Sequence, residues 1–310
     1  MTGTVYKSTG SWHSVKNNKG VEFECRIKGK LRLDNLQSTN PIAVGDVVEF
    51  DIENHTNSTN GIIIKVHDRK NYILRKSVNL SKQTQILAAN IDILFLVITI
   101  KTPITTTNFI DRFLISSNAY SIDTVLLFNK MDSYNKDDIT QLDMMVNLYE
   151  NIGYKCIKIS AIKGLNIKKI ISLIKGKTIM FGGHSGTGKS SIINCINPEL
   201  KIKTGDISSQ YFQGKHTTTH AELFDIDFGA RVIDTPGIKG FGIVNFEKNE
   251  IGDFFPEFFQ NKNKCKFNNC LHIDEPDCFI KELVSSNEIN ISRYENYKQI
   301  IMQDDLKYRQ

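Results

Sequence analysis

The chain has 310 residues, a hydrophobic fraction of 40% and a formal net charge of +5 at pH 7. This length predicts two or three units with at least one sizeable core, and so small a positive charge does not by itself indicate nucleic-acid binding. The longest apolar stretch, "IDILFLVITI" at 91–100, is too short for a membrane span, and the N-terminus lacks the layout of a signal peptide. We therefore expect a cytoplasmic protein with no membrane partner.

Residues 1–70 predict five short strands, at "GTVYKS", "WHSVKN", "VEFECRIKG", "VGDVVEFDI" and "GIIIKVHD". Five strands in this length favour a small closed β-barrel of the OB type. Within "CRIKGKLRL" the alternation places Cys25 and Ile27 on one face and Arg26 and Lys28 on the other, and it continues through Arg32. This outer face is either a basic stripe for RNA phosphates or an ordinary solvated strand face, and the pattern favours neither.

From about residue 85, strands alternate with helical segments, as in an α/β sheet. The six strands are predicted at "IDILFLVITI", "DTVLLFN", "YKCIKIS", "KTIMFGG", "AELFDID" and "RVIDTPG", with helices at "NFIDRFLISSNAY", "DDITQLDMMVNLYENIG" and "LNIKKIISLIKG" between the first four. The alternation stops at "FFPEFF", and the chain ends in a predicted helix in which Tyr294, Tyr297, Ile300 and Ile301 recur at helical spacing.

A phosphate loop is predicted at "GHSGTGKS", Gly183 to Ser190, after an apolar strand and before a helix start. Its glycines let backbone N–H groups face phosphate oxygens, Lys189 neutralises the β and γ phosphates, and the Ser190 hydroxyl is a ligand for Mg²⁺. Because the motif has the required strand, loop and helix context, a plain glycine-rich turn is the lesser alternative.

Guanine recognition is predicted from "NKMD", Asn129 to Asp132, at the end of a strand. The Asp132 carboxylate accepts from the N1 and N2 hydrogens of guanine, a donor pair that adenine lacks. The Lys130 stem covers the ring, and Asn129 joins this loop to the phosphate loop. A second strand end, "ISA", brings the Ala161 N–H to guanine O6, so GTP is favoured over ATP.

The γ-phosphate is expected to be sensed by "DTPG", where Asp234 holds a Mg²⁺ water and the Gly237 N–H contacts the phosphate. Between this motif and the phosphate loop lies "GKHTTTH", whose threonines at 217–219 are the candidates for the switch that closes over Mg²⁺. We assign Thr218, Asp234 and Gly237 as candidate catalytic residues, although the sequence does not distinguish among the three threonines. A polar loop, or a second metal pair from its two histidines, is the alternative for "HTTTH".

The motifs occur in a rotated order, with the base-reading half before the phosphate-reading half. Strand positions in space, rather than their order along the chain, assemble such a site, so the sequence predicts a circularly permuted GTPase. The switch after "DTPG" then leads directly into the C-terminal unit. Ile238 follows Gly237, where many GTPases carry the Gln that orients water. We therefore expect slow hydrolysis until a partner completes the site.

A metal site is predicted from Cys265, Cys270, His272 and Cys278, which lie within fourteen residues. In a reducing cytosol such a cluster favours metal over disulfides, and three thiolates with one imidazole suit tetrahedral structural zinc. Since sixty residues form only a small core, a metal would staple this unit. Buried cysteines without a ligand are the alternative.

Together, the barrel, the permuted GTPase motifs and the Cys₃His cluster resemble the RsgA-type (YjeQ-type) small-ribosomal-subunit biogenesis GTPases over essentially the whole chain. Further matching strings are "AANID", "IDRFL", "GKHTTT", "FPEF" and "RYENY". The resemblance implies three units: an OB-fold RNA-binding domain at 1–72, a GTPase domain at 73–244 and a zinc-binding domain at 245–310. Some family members carry a proposed catalytic histidine in the linker after the second switch; this sequence has Asn245 there, which argues against a catalytic role for that position.

The resemblance also implies a late assembly factor that binds the small ribosomal subunit and its rRNA near the decoding region and leaves after GTP hydrolysis, and we expect a monomer. A permuted GTPase for the large subunit should lack both flanking units, whereas a non-catalytic zinc and OB-type RNA-binding protein should bind GTP without stimulated turnover. The predicted nucleotide-binding residues are Asn129, Lys130, Met131, Asp132, Ser160, Ala161, Gly183, His184, Ser185, Gly186, Thr187, Gly188, Lys189, Ser190 and Ser191, with GTP or GDP, Mg²⁺ and one Zn²⁺ as the cofactors.

Overall fold

The computed structural model describes residues 1–27, 41–53, 59–76, 84–200, 221–234 and 246–307. The N-terminal strands are β1 (Thr2–Ser8), β2 (His13–Asn17), β3 (Glu22–Ile27), β4 (Val47–Ile52) and β5 (Asn60–Val66). They pair in the order β1-β2-β3-β5-β4, and β4 pairs again with β1, which closes the barrel. Its core contains Val5, Val15, Cys25, Phe50 and Ile63, all fully buried. The predicted barrel is confirmed.

The outer face of β3 has mixed charge in the described part of the chain. Cys25 points into the barrel and Arg26 is exposed, as the alternation predicts, but Glu22 and Glu24 share the outer face with Arg26. Arg26 Nη2 also lies 3.6 Å from Glu53 Oε1. The rest of the predicted basic stripe, Lys28 to Arg32, lies outside the described residues.

A hairpin of β6 (Tyr72–Lys76) and β7 (Thr84–Ala89) follows the barrel and was not among the predicted strands. Its register shifts between Ile73 and Leu74. A shift of one residue reverses which side chains face the core. The alternation of apolar and polar residues that predicts a strand is therefore interrupted in this segment. Ala88 forms a bridge with Val44 and so joins the hairpin to the barrel.

The central unit is a six-stranded α/β sheet. Its strands are β8 (Ile93–Ile98), β9 (Thr124–Phe128), β10 (Lys155–Lys158), β11 (Thr178–Gly182), β12 (Glu222–Ile226) and β13 (Ala230–Asp234), and its helices are α1 (Thr107–Ala119), α2 (Lys136–Ile152), α3 (Ile167–Ile174) and α4 (Lys189–Ile196). The strand order is β10-β9-β8-β11-β13-β12, parallel except for β12 against β13. Buried clusters cover both faces, and the predicted permuted GTPase fold is confirmed.

Local sequence explains several of these boundaries. Every residue of β8 is buried, as expected for a central parallel strand covered on both faces. Helix α2 begins at a capping box in which Asn135 and Asp138 bond each other's backbone N–H, and it ends at Gly153 with φ of 106°.

The C-terminal unit contains helices α5 (Lys248–Ile251), α6 (Pro256–Phe259), α7 (Phe279–Ser285) and α8 (Ile291–Lys307). The residues predicted to line one helical face, Tyr294, Tyr297, Ile300 and Ile301, are buried and pack with Phe255 and Phe258. Within the described residues, no helix combines the length and the apolar character needed to cross a membrane.

The barrel docks on the edge of the central sheet. Strand β1 pairs with β12 at Lys7 and Glu222, so that one sheet of eleven strands runs through both units. Tyr6 Oη donates to Asp225 Oδ1 over 2.7 Å, and Lys16 Nζ donates to the other oxygen of the same carboxylate. The barrel therefore contacts the hairpin formed by β12 and β13. The chain segment before β12 and the segment after β13 contain the two predicted switches.

Candidate functional site

The phosphate loop connects β11 to α4 through a backbone that glycine alone adopts readily. Gly183, Gly186 and Gly188 have φ of 127°, 82° and 100°. A Cβ at Gly183 would lie 2.5 Å from the carbonyl oxygen of Val97, and one at Gly188 would lie 2.3 Å from Asn129 Nδ2. The loop is therefore shaped both by backbone conformation and by close neighbours.

Lys189 closes the loop from inside. Its Nζ donates to the carbonyl oxygens of Gly183 and His184 over 2.8 and 2.7 Å. Thr187 is fully buried, and its Oγ1 donates to the same His184 carbonyl over 2.9 Å. Ser190 is buried in the first turn of α4 and Ser191 is half-buried, whereas Ser185 and Gly186 are exposed at the tip. The helix N-terminus and the Lys189 ammonium together favour an anion at this loop.

Asn129 joins three loops of the site. Its Nδ2 donates to the carbonyl oxygen of Thr187 over 2.8 Å, and its Oδ1 accepts from the Ala161 N–H over 3.1 Å. The side chain is 2% exposed. The Ala161 N–H assigned from sequence to guanine O6 is thus donated to Asn129 in this structure.

The other residues of the two base-reading strings lie beside Asn129. Lys130 has a left-handed φ of 69°, and its Nζ donates to the Thr102 carbonyl over 2.6 Å, while Met131 packs against the sheet core. Asp132 is exposed, and its Oδ1 accepts a hydrogen bond from Ser160 Oγ. Ser160 therefore orients the carboxylate at the mouth of the site.

Asp234 ends β13 opposite Glu222 of β12. Burial and the Glu222 carboxylate raise the pKa of Asp234 to about 6, whereas the Lys189 ammonium opposes that rise. Asp234 and the phosphate-loop lysine therefore act on each other electrostatically. Two of the three candidate catalytic residues, Thr218 and Gly237, lie outside the described residues, and so does Ile238.

The four predicted metal ligands form one cluster. The ligand atoms of Cys265, Cys270, His272 and Cys278 all lie within 4.8 Å of one another. Cys278 Sγ is 3.4 Å and Cys265 Sγ is 3.6 Å from His272 Nδ1, and the two sulfurs are 4.0 Å apart. Tetrahedral zinc with ordinary bond lengths separates sulfur from nitrogen by about 3.5 Å and two sulfurs by about 3.8 Å. The cluster therefore fits the predicted ion.

The protein around the cluster holds its loop in place. Tyr294 Oη donates to the His272 carbonyl over 2.7 Å, and Tyr297 Oη donates to the Leu271 carbonyl over 2.6 Å. The Glu275 carboxylate accepts from the N–H groups of Leu271 and Ile273. Burial lowers the pKa of His272, which favours the neutral imidazole that a metal requires.

The structure contains a buried polar network that no sequence motif predicted. It joins Asp111 in "IDRFL", Glu257 in "FPEF" and Arg293 with Asn296 in "RYENY". The signal in the sequence is a charged residue next to apolar or aromatic residues in each of these strings. Burial alone would lower the pKa of Arg293, but the Asp111 and Glu257 carboxylates raise it above its usual range.

Comparison with known proteins gives consistent matches. The model of the RsgA GTPase family matches residues 66–244, and that of the RsgA N-terminal domain matches residues 2–63. A small ribosomal subunit biogenesis GTPase RsgA from Flavobacterium psychrophilum is 55% identical over all of this chain and 95% of its own length. Its counterpart from Christiangramia forsetii is also 55% identical, over 98% of its length.

Two solved structures share the fold. The crystal structure of YjeQ from Thermotoga maritima has a TM-score of 0.78 and 37% identity, covering 97% of each chain. The structure of YloQ, described as a circularly permuted GTPase, has a TM-score of 0.75 and 27% identity, covering 100% of this chain and 96% of its own. With the rotated motif order and the site geometry, these matches show that the chain belongs to the RsgA family of circularly permuted GTPases.

Proposed function

We propose that the protein is a GTP-hydrolysing assembly factor of the small ribosomal subunit, which binds rRNA near the decoding region and leaves after hydrolysis. The Flavobacterium and Christiangramia relatives carry the name small ribosomal subunit biogenesis GTPase. The observation that carries the proposal is Asn129, whose side chain bonds the phosphate loop and the second base-reading loop at once. One guanine nucleotide would therefore bridge both halves of the permuted sheet.

In this proposal, the described residues bind and orient GTP. Lys189 and the N–H groups of the loop at 183–191 hold the phosphates. Asp132, oriented by Ser160, reads the guanine edge, and Lys130 and Met131 complete the base-reading loop. Lys189 Nζ donates to two loop carbonyls in this structure. When GTP binds, it exchanges these partners for phosphate oxygens, because the negative charge of a phosphate attracts the ammonium more strongly than a carbonyl does.

The proposed Mg²⁺ ligands are Ser190 and, through water, Asp234. When bound, the ion would supply positive charge that stabilises the phosphate oxygens of GTP. Ser190 is the second residue of α4, which follows β11, and Asp234 ends β13, the parallel strand beside β11. This placement suits a shared ion. We assign Thr218 to the closing switch and Gly237 to the γ-phosphate contact. Since the side chain of Ile238 does not hydrogen-bond water, the partner supplies or orders the missing group.

The flanking units are proposed to bind the subunit. Cys265, Cys270, His272 and Cys278 would hold one structural Zn²⁺ with no position left for chemistry. Arg26 is exposed on the barrel, and its guanidinium lies 4.8 Å from the Trp12 ring, a pairing that suits contacts with RNA phosphates and bases. We further propose that the protein acts as a cytoplasmic monomer with domains at 1–72, 73–244 and 245–310.

Steady-state GTP turnover with and without purified small subunits tests the proposal. We expect slow turnover alone and strong stimulation by small subunits, because contacts in trans supply gains of about 10³ to 10⁵ in related GTPases. Large subunits serve as the control. Equal turnover under all conditions would support a non-catalytic RNA-binding role, and stimulation by large subunits alone would assign another partner.

A further inference from the structure

Helix α1 is bonded along its length to the C-terminal unit. Near its start, Asn108 Nδ2 donates to Gln299 Oε1 over 3.1 Å. Near its end, Asn118 Nδ2 donates to the Phe254 carbonyl over 2.9 Å. Ile115 packs into the apolar cluster of that unit. Helix α1 is therefore shared between the central and C-terminal units.

The middle of α1 carries a buried ion pair. Arg293 Nη1 lies 2.5 Å from Asp111 Oδ1, and their side chains are 2% and 0% exposed. Asn296 and Tyr149 also donate to the Asp111 carboxylate, over 2.6 and 2.8 Å, while Glu257 accepts two bonds from Arg293. A buried ion pair with its charged groups hydrogen-bonded in this way is costly to break, because removing one bond leaves a buried charge without its partner.

Another side of α1 contacts the phosphate loop. Phe109 and Phe113 are four residues apart and so lie on the same helix face. The Phe109 ring centroid is 3.9 Å from that of His184. A Cβ on Gly182 would lie 2.2 Å from the Phe113 ring, which shows that this ring lies directly against the backbone leading into the loop.

Helix α8 links this helix to the predicted metal loop. It carries Arg293 toward α1, and its Tyr294 and Tyr297 bond the carbonyls of His272 and Leu271. One helix thus contacts the metal loop and α1, and α1 contacts the phosphate loop. This route does not pass through the switch that follows Asp234.

We propose that α1 transmits the position of the C-terminal unit to the phosphate loop, with Asp111 and Arg293 as positioning residues and Phe109 as the contact that acts on His184. The inference rests on the proposed GTPase function and adds how docking of the C-terminal unit would set nucleotide affinity. It predicts that the ion pair controls nucleotide release from a distance, although neither of its residues belongs to the nucleotide site.

The test uses Asp111→Asn in the full-length protein, which removes the charge and keeps the shape of the side chain. We expect GDP dissociation without ribosomes to become about 2- to 30-fold faster, the usual range for coupling through a packed network, and amide hydrogen exchange at 183–188 to increase. Asp46→Asn is the matched control, because Asp46 forms a similarly buried pair with Arg69 in the barrel. It should change neither measurement.

A double variant separates transmission from general loosening. Phe109→Leu should also speed GDP release, and adding Asp111→Asn to it should give little further change, because the contact that carries the effect is already weakened. If Asp111→Asn does not fold, Asn118→Ala replaces it, because this variant removes the more exposed hydrogen bond from α1 to the Phe254 carbonyl. GDP release is then compared among Asn118→Ala, Phe109→Leu and the double variant.

Several outcomes would overturn the inference. The inference is wrong if both single variants release GDP at the wild-type rate, or if the effects are fully additive in the double variant. It is also wrong if Asp46→Asn speeds GDP release as much as Asp111→Asn does. If small subunits fail to stimulate the wild-type protein, the proposed function is wrong, but GDP release still reports on α1. If stimulation is normal and GDP release is unchanged, only the role of α1 is wrong.

Discussion

Asn129 Nδ2 donates a hydrogen bond of 2.8 Å to the carbonyl oxygen of Thr187, a residue 58 positions later in the chain. The bond joins the end of β9 to the phosphate loop, across the central strand β8. Because parallel strands present their carboxyl ends at one edge, the rotated order of the motifs leaves their spatial relation intact. The nucleotide site is therefore a property of the sheet and not of chain order.

Replacing Asp132 by Asn should move base preference from guanine toward xanthine. The amide exchanges an acceptor for a donor, which matches the altered edge of xanthine. Competition binding with GDP and XDP measures the shift, and Asp137→Asn, an exposed carboxylate in the first turn of α2, is the control. Unchanged GDP affinity in Asp132→Asn would contradict the assignment.

Gly188→Ala should weaken nucleotide binding about 10- to 100-fold, as expected when a strained backbone costs about 1–3 kcal/mol. The residue has φ of 100°, and its Cβ would lie 2.3 Å from Asn129 Nδ2. Isothermal titration with GDP gives the affinity. Gly176→Ala is the matched control, since Gly176 also has a positive φ, of 66°, but nothing lies within 4 Å of its added Cβ. An equal loss of affinity there would show that general strain, and not the phosphate loop, causes the effect.

Metal analysis of the purified protein should find about one zinc per chain, as one four-ligand site requires. Cys270→Ala should lower this content and loosen the C-terminal unit in limited proteolysis, while GDP still binds because its contacts lie in the central unit. Cys156→Ala, outside the cluster, should keep the metal. A well-folded C-terminal unit purified without chelator and without metal would refute the site.

The barrel should lose stability as pH falls below about 6.5. His13 is fully buried, both ring nitrogens are without a hydrogen-bond partner in the described structure, and burial lowers its pKa to about 4. The unfolded chain therefore takes up the proton first, and the free energy of unfolding drops by about 3 kcal/mol between pH 6.5 and pH 4. Below pH 4 this loss is complete.

Urea unfolding followed by tryptophan fluorescence measures this effect, because Trp12 is the sole tryptophan of the chain and precedes His13. His13→Met should flatten the pH dependence over this range, because the variant has no imidazole at this position to take up a proton. A barrel equally stable at pH 7 and pH 4.5 would show that His13 is not the titrating group.

Charge reversal at Arg26 and Lys28 should weaken binding to small subunits and reduce its salt dependence, by about one unit of slope for each lost phosphate contact. Intrinsic GTP turnover should stay the same, since neither residue is among the predicted nucleotide-binding residues. Sedimentation with subunits at several salt concentrations measures both binding and its salt dependence, and Lys169→Glu, at an exposed position of α3, is the control. An unchanged salt slope would leave the β3 face as an ordinary solvated surface.

The sequence alone determined the features that depend on local chemistry. Strand alternation indicated the barrel, the apolar strand before Gly183 and the helix start after it indicated the phosphate loop, and the spacing of Cys265 to Cys278 indicated the metal cluster. Each of these signals lies within about a dozen residues, so backbone conformation and side-chain chemistry can be predicted together. The rotated order of the motifs then indicated the permutation.

Tertiary structure alone decided which distant residues meet. No local pattern places Asp111 beside Arg293, 182 positions away, or Phe109 against His184. The hairpin β6–β7 was missed because a register shift hides its alternation, and the docking of β1 on β12 depends on the shape of two separate units. Such contacts arise because a buried charge needs an opposite charge and an apolar face needs another to cover it. The partner comes from a distant part of the chain, so a single segment does not specify it.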